Sequence, residues 1–232
     1  MPTANTLRRY FADLVVVFVG VALAFAVENL REDLNERAVG EQYLIGFRED
    51  LLADLSMLKD QQLIRRSQLE NALVVLGFFK GQSGDPQRFF DAYNSVLVDR
   101  YTAPNRNTID EVLSSGGLRL IRDSEIRTRL LNLYANYHRI ARLEEHMARD
   151  FDEYLYDPTF SSVRLQFEGP WEDTPEHRHD VETLLNDLRI ENGIRLVVAN
   201  LEAANWGVLD QLALVRSQVE QLLQLQPAER AN

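Results

Sequence analysis

The chain has 232 residues, 45% of them hydrophobic and 26% charged, enough to bury the core of one domain or of a small domain with an appendage. It carries no cysteine, which excludes disulfides, thiol nucleophiles and cysteine-ligated zinc. The formal charge is −11 and unevenly placed: residues 1–27 sum to +1, so the remainder holds −12, and a body this acidic is repelled by nucleic acid and by anionic headgroups.

Residues 14–27 form a run of 14 without a polar side chain; counting back to Tyr10 gives 18, interrupted once by Asp13. At about 1.5 Å per residue, 18 residues span roughly 27 Å, just under a hydrocarbon core of about 30 Å. The run reads as a short membrane span, with Asp13 and Glu28 at its two interfaces and Tyr10 at headgroup level. A cleaved signal peptide is the rival reading: Arg8 and Arg9 supply an n-region, residues 14–23 an h-region, and Ala24-Phe25-Ala26 a cleavage site that would remove residues 1–26. A buried helix of a soluble protein is the third. The anchor is preferred because Asp13 interrupts the h-region and because residues 27–79 show no helix break. They hold no proline, three glycines, and leucines at helical spacing (Leu30 and Leu34, then Leu51, Leu55 and Leu58).

One helix over about residues 6–79 is therefore expected. Within the span, Gly20 and Ala24, like Ala22 and Ala26, stand four apart, a spacing that permits close helix approach in lipid. Arg8 and Arg9 lie before the span and Arg31 and Arg37 after it; the acidic body favours the N-terminus inside and the body outside.

The stretch "FADLVVVFVGVALAFAVENLREDLNERAVGEQYLIGFREDLLADL" resembles the N-terminus of a family of uncharacterised bacterial single-pass membrane proteins. Asp13, Gly20, Ala24, Glu28-Asn29, Tyr43-Leu44, Asp50-Leu51 and Asp54 occupy its pattern positions, and "TIDEVLSSGGLRLIRDSEIRTRLLNLY" is similar to a second block of the same family. The two blocks cover about half the chain. One departure is visible: "NLRED" stands where many relatives carry a tryptophan at the membrane exit. The resemblance implies an uncleaved anchor with a helical body at the bacterial inner membrane; it implies no activity.

Beyond residue 79, residues 81–86 read as a turn, with Asp85 as N-cap and Pro86 at the first helical position of a helix to about Val98. A loop over 100–107 precedes a helix over 108–115, ended by Gly116-Gly117, one of which can supply a left-handed cap. Asp123 then caps a long helix whose apolar positions Ile126, Leu130, Leu133, Tyr137, Ile140, Met147, Phe151 and Tyr154 alternate by three and four, with Glu144 the single exception. Asp157-Pro158 is expected to end it. Residues 159–175 read as a short strand or packed loop, followed by a helix to about Ile190. A last helix places Ile194, Val198, Leu201, Asn205, Val208, Leu212, Val215, Val219 and Leu222 on one seam and closes at Pro227. Asn205, polar within that seam, sets register by pairing with a partner or hydrogen-bonds within the bundle.

The expected class is all-α: an N-terminal transmembrane helix (residues 1–30) continuing into an antiparallel helical bundle (31–226), with a short tail (227–232). No phosphate loop, H-E-x-x-H, G-x-S-x-G or dinucleotide fingerprint occurs, so no catalytic residue and no cofactor are expected. His177 and His179 are weak metal candidates in an acidic loop. Around the diglycine, Gly116 and Gly117 with Arg119 and Arg122 form either an anion-binding loop or a close-approach connection between helices, and the apolar Leu118, Leu120 and Ile121 favour the latter. The expected role is a membrane-anchored scaffold that associates with itself or another envelope protein. The alternative is a periplasmic ligand-binding bundle using Tyr134, Tyr137 or Trp206.

Overall fold

In a computed structural model the chain is described at residues 4–82, 84–98, 100–162, 171–203 and 207–225, with side chains from residue 14. All regular structure among the described residues is helical, as the sequence pattern requires. Helix α1 (Ala4–Phe79) runs for 76 residues; no proline falls within it to remove an N–H or clash with a preceding carbonyl. It stops at Gly81, whose φ of 82° only glycine adopts freely. The Gln82 N–H donates to the Gly77 carbonyl at 3.1 Å and the Gly81 N–H to Phe78 at 2.9 Å, the paired bonds of a Schellman cap.

The chain divides into two compact units. The first comprises residues 1–47 and 107–124. Against the α1 part of this unit lies an arm made of helix α3 (Asn107–Ser114), a left-handed turn at Gly116 (φ 68°) and a 3₁₀ turn (Gly117–Leu120). The expected left-handed cap is thus Gly116.

The second unit comprises residues 48–106 and 125–232. Helix α2 (Pro86–Val96) starts where Asp85 accepts the Gln87 N–H at 3.0 Å, with Pro86 in the first turn, and it buries Phe89, Phe90, Tyr93 and Val96. Helix α4 (Ser124–Phe151) turns Ile126, Leu130, Leu133, Tyr137, Ile140, Glu144, Met147 and Phe151 inward, the expected seam including its exception. It does not end at Asp157-Pro158. A π-helical turn (Asp152–Tyr156) follows, and α5 (Asp157–Ser162) carries the helix past the proline. Pro158 has no N–H, and its ring crowds the carbonyl below it; the wider turn, in which the Asp157 N–H reaches back to the Asp152 carbonyl, gives the ring room. The extra residue also advances the phase, so Leu155 is buried where the even spacing placed Tyr154.

The expected helix to Ile190 is also two: α6 (Pro175–Leu185), capped by Thr174, and α7 (Leu188–Glu202), capped by Asp187, which accepts the Arg189 N–H at 2.8 Å. The last seam divides likewise between α7 and α8 (Val208–Leu225), because the α7 end at Ala203 leaves the helical conformation. Asn205, Trp206, residues 163–170 and the tail 227–232 lie outside the described residues. Hydrogen bonds give the helix directions in this unit. Arg48 reaches the Leu223 carbonyl and Arg216 reaches Gln62, so α8 runs against α1; Arg129 meets Gln221 and Asn136 meets Gln218, so α8 runs against α4 as well. The pairs Asp54–Tyr137 and Arg65–Glu144 place α1 and α4 in the same direction, departing from strict antiparallel alternation.

Gly193 lets α7 meet the π turn. A Cβ there would stand 2.6 Å from Leu155 Cδ2 and 2.9 Å from Tyr154 Cβ. Gly193→Ala is expected to cost about 1–3 kcal/mol through overpacking, read as a lower denaturant midpoint at unchanged slope.

Candidate functional site

The arm of the first unit is seated on α1 by glycines. A Cβ on Gly40 would lie 2.3 Å from the Leu120 carbonyl oxygen, one on Gly46 2.8 Å from Thr108 Oγ1, and one on Gly117 2.6 Å from the Tyr43 ring. Tyr43 also hydrogen-bonds the Ser115 hydroxyl at 3.1 Å. Arg119 pairs with Glu36 at 2.6 Å, and Arg122 pairs with Asp33, which Arg37 also holds at 2.6 Å. The hydrogen bond from Arg122, aided by the charges of Arg122 and Arg37, keeps the Asp33 carboxyl below its ordinary range. Read from Gly46–Thr108 through Gly40–Leu120 to Asp33–Arg122, the arm runs back along α1 toward its apolar end. Of the diglycine, Gly117 makes the close approach while Gly116, with nothing within 4 Å, supplies the left-handed turn, and both arginines meet carboxylates.

That apolar end is open. Every side chain from Leu14 to Val27 is exposed, Gly20 has nothing within 4 Å, and the 18-residue window that qualifies this helix to cross a membrane is 0% buried. It is therefore not a core helix of this fold. Ala24 and Glu28 are exposed with it, while the Asp13 side chain lies outside the described residues.

In the second unit, polar side chains line the buried stripe of α1: Asp50, Asp54, Gln62, Arg65 and Gln68. Arg65 meets Glu144 of α4 at 3.1 Å, with both side chains at most 2% exposed. Arg65 also donates to Gln68 at 2.9 Å and to the Arg100 carbonyl. Glu144 accepts from the Thr102 N–H at 2.8 Å and its hydroxyl at 2.9 Å, and Gln68 donates to the Val96 carbonyl at 2.8 Å. About three turns earlier on α1, Asp54 accepts from the Asn105 N–H and the Tyr137 hydroxyl, each at 2.8 Å. Two buried carboxylates thus clamp the irregular segment between α2 and α3 by its backbone N–H groups, which need partners once removed from water. Both oxygens of each carboxylate are engaged by fixed donors. This is the chemistry of a structural clamp, not of a general acid or base, which needs an oxygen open to substrate.

Burial raises the Asp54 carboxyl above its ordinary value, against the lowering by its two hydrogen bonds. The folded protein then holds a proton more tightly than the unfolded chain between the ordinary and the raised value, so this group makes stability fall as pH rises through the raised value. Asp54→Asn is expected to flatten that fall, read as the urea midpoint of both proteins from about pH 4 to pH 7.

The remaining candidates lie apart. The His177 ring packs 5.3 Å from the Trp171 ring and 6.4 Å from that of Phe90, and its Nδ1 lies 2.6 Å from the Glu172 carbonyl oxygen. His179 is exposed beside Asp173, Arg178 and Glu182 in a shallow groove. Among the described residues no three His, Asp or Glu side chains converge as metal ligands. The hydroxyls of Tyr134 and Tyr137 are committed to the Asn105 carbonyl and to Asp54. Comparison of the chain with protein families, with curated proteins and with solved structures finds no match.

Proposed function

We propose that the protein is a membrane-anchored helical scaffold of the bacterial envelope, single-pass, with its body in the periplasm and associated with itself or another envelope protein. The observation that carries this reading is the fully exposed apolar segment of α1, followed by helix without a break. A contiguous apolar surface of this size is not kept in water without a function, and bilayer hydrocarbon is the solvent its length suits. The committed hydrogen bonds of the buried carboxylates support a structural role over a catalytic one.

The test is the N-terminus and intact mass of protein recovered from washed membranes. A chain beginning at or near Met1 that resists carbonate extraction is expected, and removal of residues 1–27 is expected to release the body into the soluble fraction. A soluble chain beginning at Val27 would overturn the anchor. Protease added to spheroplasts is expected to digest the body while intact cells protect it. Detergent-solubilised protein is expected to sediment as an oligomer or with an envelope partner.

A further inference from the structure

The arm and the apolar segment belong to one unit, so the axial position of the arm relative to that segment follows from helix geometry. Asp33 stands six residues past Val27 and Glu36 nine past it, about 9 and 14 Å along the axis. Helical side chains lean toward the N-terminus of their helix, here toward the apolar segment, so both carboxylates and the arginines they hold sit below those levels. A headgroup layer adds about 5–8 Å to each side of the hydrocarbon core. Arg122 therefore falls within or at the edge of that layer, with Arg119 one turn above.

Three further observations agree with this placement. Leu30 and Leu34 remain 61% and 55% exposed among charged neighbours, the mixture of apolar and ionic groups that a membrane interface accepts. The Arg119 and Arg122 side chains stay 73% and 53% exposed although each is ion-paired, so the guanidinium forks present surface outward. Arg37, Arg119 and Arg122 share Asp33 and Glu36, so the tip presents both signs side by side and suits a surface that itself carries both.

We infer that the tip of the arm rests on a zwitterionic phospholipid surface, with Arg122 and then Arg119 at the level of the phosphates. This rests on the anchor reading of α1. The anchor supplies the proximity, so contacts too weak to recruit the protein from solution are made at high effective concentration. An anionic surface is disfavoured by the −12 carried beyond residue 27.

The absence of cysteine allows single-site labelling of the full chain. Fluorophores at Arg122→Cys, Glu111→Cys and Gly20→Cys, each in reconstituted phosphatidylcholine vesicles, are challenged with headgroup- or acyl-chain-spin-labelled lipid. The label at 122 is expected to be quenched about twofold or more by the headgroup probe. The label at 111, which sits farther up the arm in α3, is expected to be unaffected, and the label at 20 to be quenched by the acyl-chain probe. Quenching at 20 without quenching at 122 overturns this inference and leaves the anchor standing. Equal quenching at 111 and 122 overturns the end-on geometry. Absence of quenching at 20 overturns the anchor and this inference together. Arg119→Cys serves as a second tip probe should the first variant fail to fold.

Discussion

Replacing Glu144 by alanine is expected to lower the free energy of unfolding by about 3–5 kcal/mol, the largest single effect anticipated for this chain. The carboxylate takes one guanidinium nitrogen of Arg65 and both donors of Thr102, and neither Arg65 nor Glu144 reaches water. Removing it leaves the buried Arg65 cation without its counter-ion, held only by the neutral acceptors of Gln68 and Arg100, and the buried Thr102 N–H without a partner. The double replacement Arg65→Met, Glu144→Leu is expected to recover the part of the loss that comes from the uncompensated cation, while the Thr102 N–H stays unpaired. Denaturant titration of the detergent-solubilised protein separates the two variants. Amide exchange at Thr102 should rise in both, since either variant frees that N–H. An E144A loss below about 1 kcal/mol would show that the pair is not holding the segment.

The second large effect is local. Gly40→Ala is expected to cost about 1–3 kcal/mol and to loosen the arm, because the new methyl group would meet the Leu120 carbonyl oxygen at 2.3 Å and its carbon at 3.0 Å. Backbone cannot rotate aside as a side-chain tip can, so the arm must lift. Amide exchange over residues 107–124 is the measurement, with Gly20→Ala as the matched control, since nothing lies within 4 Å of that position. Equal exchange in the two variants would mean that the close approach carries no energy.

Local signals proved legible and distant ones did not. The Asp85-Pro86 start, the left-handed glycine at 116 and the alternating seam of α4 are each set by residues within a turn or two, so the sequence displays them directly. Glu144 was visible only as an irregularity in an apolar row. Its meaning depends on Arg65 and Thr102, both far away along the chain, and no spacing rule connects them. Gly40 and Gly46 look like ordinary helix glycines until the arm is laid against them. The Asn186-Asp187 break was masked by apolar residues on both sides, although Asp187 is a strong capping residue type and was the available clue. The buried polar stripe of α1 has the composition of a solvated helix face, and no local feature of Asp50, Asp54, Gln62, Arg65 or Gln68 marks it as interior.

The π turn before Pro158 bears on which changes of chain length this protein tolerates. A residue added or removed in an exposed connection is absorbed by the connection. Removing one from residues 152–156 would restore a regular helix and leave the residues after it in phase, Leu155 still inward and Thr159 still at the Tyr93 hydroxyl that it meets at 2.6 Å, but it would take away the room that the Pro158 ring occupies. Sequences that share this body and its proline should therefore vary in length at their loops while keeping the count from Phe151 to Pro158 fixed. A relative lacking the extra residue should also lack the proline.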